Sequence, residues 1–364
     1  MKRSISIFIY LLAVCSYAQD IEQSSKEQRP TLFGVNIDYA YILKHSENLK
    51  SIDDAFPKSV GISWSKLLLT KSAWEFCNCF PRLGVDLAYW DWDNRDVLGN
   101  GVLAMAFAEP YFRTQKRTNI LFRVGLGGAY LSNPFDDTAN PQNLSYGTNL
   151  SFALMVGFGF NYRFTDQWNL NVMAKYNHTS NGGIKNPNKG LNFPSLSLGV
   201  TKSLEPLKFP QFEKTGKREP PKDKQRLSVV HFSGWSNASV GDKDKFYVFG
   251  FMGKYSRWIG GRSAVTVGTE LIFDYSRREQ IKQDGRDANF LQAAALVGHE
   301  FWLGKVTFSQ ELGAYYLNDF RINDDIYQRY GLTYNFNSHF FAGFNLKAHR
   351  HVADFIDLRM GYTF

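Results

Sequence analysis

The chain has 364 residues, 16% of them aromatic, with a formal net charge of +8 and a slightly negative mean hydropathy. That balance excludes a bundle of membrane helices, because nothing beyond the N-terminus approaches the roughly 18 consecutive apolar residues a helical span needs. It suits sheets with one face in lipid and the other in water.

Lys2 and Arg3 precede an apolar run over residues 5–14, and Ser16-Tyr17-Ala18 follows as a small-residue cleavage site. Residues 1–18 therefore read as a secretory signal peptide cut after Ala18. Val14 before Cys15 fits a lipidation site poorly. For an exported chain the positive charge points to anionic lipid head groups and not to nucleic acid.

From Pro30 onward strand-like segments recur to the last residue, with no helical period. Residues 32–43, 60–68, 83–89 and 102–112 alternate at least in part; Leu83, Val85, Leu87 and Tyr89 share one face. Cys77 and Cys79 lie near a turn. They lack the further ligands of a metal site and are too close for an unstrained disulfide, so an ordinary packing role is expected. Residues 150–164 alternate most clearly. Leu150, Phe152, Leu154, Val156, Phe158, Phe160, Tyr162 and Phe164 point one way, with Ser151, Gly157, Gly159, Asn161 and Arg163 opposite, which predicts a polar lumen and not a sandwich core.

Connections alternate in length as well. Thr165-Asp166-Gln167 is a tight turn, whereas residues 132–147 and 179–191 are long and rich in Asn, Pro and Gly. Outer-membrane barrels have short periplasmic turns and long external loops, so a seventh strand is predicted to rise to the external rim.

In that strand Leu170, Val172, Ala174 and Tyr176 share a face, opposite Asn169, Asn171, Lys175 and Asn177; Met173 is the exception. His178 and Ser180 continue the apolar face about 6 to 7 Å apart at Cα. A neighbouring imidazole that accepts its proton makes a serine hydroxyl an acyl-transfer nucleophile. Asn192, on the parity of Leu196, Leu198 and Val200, is placed to orient the imidazole. Catalytic groups on the outer wall of a sheet make sense if the substrate is the surrounding lipid, and Tyr176 beneath them would join an interfacial aromatic girdle.

Residues 204–225 hold Pro206, Pro210, Pro220 and Pro221 among many charges and read as a flexible or semi-extended linker. Residues 226–364 form a second β-barrel region, with Val265, Val267, Leu271 and Phe273, and later Tyr330, Leu332, Tyr334 and Phe336, alternating with polar or small partners. The last strand ends on Phe364, like the assembly signal of outer-membrane barrels. LFRVGLGGAY (121–130) and FSQELGAYY (308–316) make the halves weakly alike. His349, Arg350 and His351 then fall where the His-x-Ser motif would be, with no serine following, so the second half reads as a degenerate repeat and the histidines as a solvated loop. The fold class is all-β: transmembrane antiparallel β-barrels, two in tandem with about eight strands each, or alternatively one barrel of about sixteen.

Residues 178–192, H-x-S-N-x-G followed by P-N-x-G, resemble the lipid A 3-O-deacylase family of outer-membrane barrels (PagL-like, acyloxyacyl hydrolase-like), and the likeness extends loosely over residues 31–203. The resemblance implies an eight-stranded barrel in the outer membrane of a Gram-negative bacterium. Its lipid-facing serine triad would release the 3-linked acyl chain of lipid A in the lipopolysaccharide leaflet. Ser180 would be the nucleophile and His178 the general base and acid, with Gly183 and Asn188 as oxyanion donors and Asn181 in the substrate-binding set.

The family's acid is a glutamate, and Asn192 stands in its place. Its amide oxygen can accept the imidazole N–H but lacks the charge that steadies an imidazolium, which implies a slower enzyme. The same H-x-S-N-G, with Asn192, resembles outer-membrane phospholipase A, a calcium-dependent barrel with a Ser-His-Asn triad. Phospholipid hydrolysis is therefore the runner-up, and calcium belongs to that reading alone; the deacylase reading takes no cofactor or metal. A catalytically inactive structural or pore barrel is the alternative from a different class. Oligomeric state is not legible.

Overall fold

A computed structural model describes residues 28–44, 49, 52, 54–214, 216, 221–238, 244–321, 324–350 and 352–364. The expected signal peptide and His351 lie outside the described residues. The first eight strands are β1 (Thr31–Ala40), β2 (Lys58–Leu67), β3 (Phe80–Asp91), β4 (Asn100–Phe112), β5 (Thr118–Leu131), β6 (Leu150–Arg163), β7 (Trp168–Ser180) and β8 (Leu191–Ser203). The next eight are β9 (Gln225–Ser236), β10 (Phe246–Gly260), β11 (Ser263–Asp274), β12 (Leu291–Leu303), β13 (Val306–Asn318), β14 (Ile326–Asn335), β15 (Phe340–His349) and β16 (Val352–Thr363). Helices α1 (Lys71–Cys77) and α2 (Tyr275–Gln283) occupy two of the connections.

Each set of eight closes on itself. β8 returns to β1, pairing Val200 with Val35, and β16 returns to β9, pairing Arg359 with Phe232. Two closed barrels therefore replace the alternative of one large barrel. Closure answers the chemistry of lipid, which offers backbone N–H and C=O groups no partner and leaves an open sheet edge unsatisfied.

Side-chain parity follows. In β6 the burial pattern alternates from Leu150 to Tyr162, with Leu150, Phe152, Leu154, Val156, Phe158 and Phe160 on the exposed outer wall. At the end of the first barrel that carries residues 181–190, Tyr39, Tyr41, Tyr89, Tyr130 and Tyr176 all face outward and exposed, as an interfacial girdle does. β7 has 13 residues, about 40 Å of strand, which tilted by about 45° crosses an apolar band of roughly 25 Å.

The interior of the first barrel is filled. Near the 181–190 end Trp90, Trp92, Leu98, Tyr146 and Phe193 form an apolar cluster, and Leu32, Leu67, Phe80, Tyr111, Leu121 and Met173 form another at the opposite end. Met173 breaks the alternation of β7 because its lumen position falls in that second cluster. Between the two lie buried ions: Glu109 takes Arg82 at 2.7 Å and Arg123 at 2.5 Å, and Asp38 takes Lys175 at 2.8 Å.

Three local features depart from the sequence expectation. Cys77 and Cys79 form a disulfide, because Asn78 between them ends α1 in the left-handed conformation, φ 49°, and brings their Cα atoms to 5.0 Å. The segment after Ser203 does not start as a free spacer. Leu207 is buried in the basal cluster, with Phe209 and Phe212 against it. His349 is buried and not solvated, 2.8 Å from Asp354, because it shares the lumen parity of Asn345 and Lys347.

Glu109 bridges two buried guanidinium groups, Arg82 and Arg123, and Asp86 lies 3.9 Å from Arg123 as a second, longer partner. Replacing Glu109 with alanine strands Arg82 and leaves Arg123 only Asp86, and breaking a buried pair in this way costs about 3–5 kcal/mol. The Glu109→Ala barrel is therefore expected to lose its heat-modifiable folded band on gel electrophoresis at markedly lower temperature than the parent.

Candidate active site

β7 presents Trp168, Leu170, Val172, Ala174 and Tyr176 outward, and His178 and Ser180 continue that row, half-buried where those below them are exposed. Asn169, Met173, Lys175, Asn177 and Thr179 face the lumen. The imidazole and hydroxyl thus sit on the outer wall, just past the Tyr176 girdle position.

The antiparallel return of β8 sets His178 directly opposite Asn192. Directly opposed side chains in such a pair are in contact, and His178 Nδ1 lies 2.7 Å from Asn192 Oδ1. An amide oxygen only accepts, so Nδ1 carries the proton and Nε2 keeps the basic lone pair. The pairing register therefore selects the tautomer a general base requires.

The connection from Ser180 to β8 is clamped from beneath. Asn181 is fully buried. Its N–H donates to Asn188 Oδ1 at 2.9 Å, its amide nitrogen to Lys185 O at 2.6 Å, and its Oδ1 accepts the Gly183 N–H at 3.1 Å. Asn181, expected among the substrate-binding groups, thus lies under the site as its scaffold, and Gly183 and Asn188 are both engaged with it. The Gly182 N–H points at Ser180 Oγ, 3.4 Å away. The connection is tied to its neighbour over residues 132–149, as Lys189 N–H donates to Leu144 O and Gly190 N–H to Ser145 O.

Gly190 belongs to the site although sequence reasoning passed over it. It has φ +74°, and a methyl group there would stand 2.9 Å from His178 Cε1 and 3.4 Å from Ser180 Cβ. Its signal was the closing glycine of P-N-x-G. A side chain at this point displaces the imidazole, and a shift of about 1 Å at a reacting group can cost around 10²-fold in rate. Gly190→Ala is expected to abolish labelling of Ser180 by a lipid-like fluorophosphonate while the barrel still shows its folded band.

Residues 59–201 match the family described as lipid A 3-O-deacylase (PagL), and residues 225–364 match the family described as acyloxyacyl hydrolase, C-terminal domain. No curated protein matches. Among solved structures, the outer membrane enzyme PagL is 20% identical over 46% of this chain and 98% of its own, with a TM-score of 0.34. Neisserial surface protein A is 16% identical over 48% and 97%, with a TM-score of 0.33. Omp33 of Acinetobacter baumannii is 10% identical over 92% and 98%, with a TM-score of 0.18.

Proposed function

Because the chain belongs to the lipid A 3-O-deacylase family, we propose that it is an outer-membrane serine esterase that removes the 3-O-linked acyl chain from lipid A in the external leaflet. The observation that carries the reading is the His178 Nδ1 to Asn192 Oδ1 contact of 2.7 Å, made on the outer wall in the same row as Ser180.

Ser180 Oγ attacks the acyl carbonyl and its proton passes to His178 Nε2. The tetrahedral oxyanion collapses, the sugar hydroxyl leaves with the proton held by His178, and the acyl group stays on Ser180. Water, deprotonated by His178, then attacks the acyl-enzyme and frees the fatty acid. The Gly182 N–H, 3.4 Å from Ser180 Oγ, is placed to donate to the developing oxyanion. No cofactor enters these steps. Asn192 holds the imidazole in register without adding charge, which favours a slow turnover suited to a substrate already concentrated in the membrane.

Mass spectrometry of lipid A from cells carrying the parent chain or Ser180→Ala tests the reading. The parent is expected to remove one ester-linked chain and the variant none; identical acyl patterns would overturn it. Asn192→Ala frees the imidazole to take the wrong tautomer, and kcat is expected to fall by about 10²- to 10⁴-fold.

Asn192 also favours a second reading, since a serine-histidine-asparagine set fits phospholipid hydrolysis. Lysophospholipid released in a calcium-dependent manner, with lipid A intact, would select it.

A further inference from the structure

The three residues that follow Asn181 all touch the second barrel. Gly182 is buried, with φ +65°, and a methyl group there would overlap Ile356 Cδ1 and lie 3.4 Å from Phe152 Cε2. The turn is thus held between β6 of one barrel and β16 of the other. Gly183, φ +83°, leaves room for the backbone carbonyl of Asp354, which would stand 3.0 Å from a methyl group at that position. Lys245, in the connection from β9 to β10, donates its ammonium to Ile184 O.

The second barrel is shaped for this contact. Ile356 is half-buried, whereas Leu358 and Met360, next along the same outer row, are 54% and 64% exposed. Cover is therefore local to the end nearest Ser180. There the pairing of β15 with β16 slips by one residue: Lys347 pairs with Phe355 but Ala348 with Ala353, which leaves Asp354 as the extra residue of a bulge. Lys347 holds its carboxylate at 2.5 Å and His349 at 2.8 Å. A bulge re-aims the residue it carries, and here Lys347 and His349 hold it from inside while its carbonyl meets Gly183 outside.

We infer that the C-terminal barrel is a working part of the hydrolytic site, in which Ile356 and the bulged Asp354 are positioning residues that hold Gly182 and Gly183 in the turn beside Ser180. Two consecutive left-handed residues have little intrinsic reason to hold one geometry. Packed between Phe152 and Ile356, with Asp354 behind, they keep the Gly182 N–H on the reacting side before substrate arrives, as charge stabilisation at a forming oxyanion requires. This inference rests on the esterase reading for its chemistry but not on the identity of the lipid.

The test uses the full-length chain in vesicles containing lipopolysaccharide, with the folded band as the check on every variant. Ile356→Ala is expected to lower kcat by about tenfold or more with KM nearly unchanged, and to slow fluorophosphonate labelling of Ser180 in parallel. Ile356→Val should retain most activity, and Met360→Ala, further down the same row, all of it. Gly182→Ala should be impaired alone and partly recover when combined with Ile356→Ala, because the added methyl then has space; a purely structural role would give additive losses. An active parent whose Ile356→Ala variant labels and turns over normally would overturn the inference while leaving the esterase reading intact. If the parent labels but does not hydrolyse lipid A, the labelling rates alone decide the inference and the deacylase reading fails. A parent that neither hydrolyses nor labels overturns both.

Discussion

Lipid gives a polypeptide backbone nothing to hydrogen-bond, and the rest of this structure follows from that deficit. Every strand must pair on both sides, so the strands close into rings of eight. Once closed, the two-residue period assigns each side chain to hydrocarbon or to the bore with no intermediate choice. The outer walls therefore carry exposed Val, Leu, Ile, Phe and Tyr, and the bores carry what lipid would reject, including Glu109 with its two arginines and Asp357 between Arg329 and Arg359. The buried ions pair with one another, and the apolar clusters at both ends of the first bore keep it from being an open channel.

The same constraint gives the proposed triad a reason to stand on an outer wall. A soluble esterase must build a cleft to exclude water; here the apolar medium lies against the wall already. His178 and Ser180 stand two residues apart on the lipid parity, one step beyond Tyr176, and under the proposed reading that height is where the ester linkages of a membrane lipid lie, between acyl chain and head group. Cross-strand register sets Asn192 against His178, by pairing and not by any feature of the intervening loop. The loop performs a separate task, with Asn181 buried beneath it as a clamp.

Much of this was legible in the residues because parity is local. The outer row of β7, the polar bore of β6 and the break after Ser203 each follow from neighbouring positions. What was not legible depended on partners distant in the chain. Met173 looks like an error in the alternation until Phe80 and Tyr111 arrive beside it from β3 and β4. Gly190 looks like an ordinary turn residue until the imidazole lies against it. Cys77 and Cys79 pair through one left-handed residue whose conformation spacing alone does not disclose. His349 matches His178 in the weak repeat, but its parity in β15 turns it into the bore, where Asp354 meets it. The contact of Ile356 with Gly182 joins residues from different barrels, and no period in either one encodes it.

The stretch between the barrels has one further consequence. Its first residues are the floor of the first barrel: Leu207 N–H donates to Asp166 O, Phe209 lies 5.9 Å from the Phe80 ring, Arg163 stacks over Phe209 at 5.0 Å, and Trp74 donates its indole N–H to Glu213 O. The boundary between the two units by closure of the sheet, at Ser203, is therefore not their boundary by packing, which falls beyond Glu213. A chain divided at the former point would expose Phe80 and Leu32 at the base of an otherwise finished barrel, whereas one divided at the latter would take its own stopper with it.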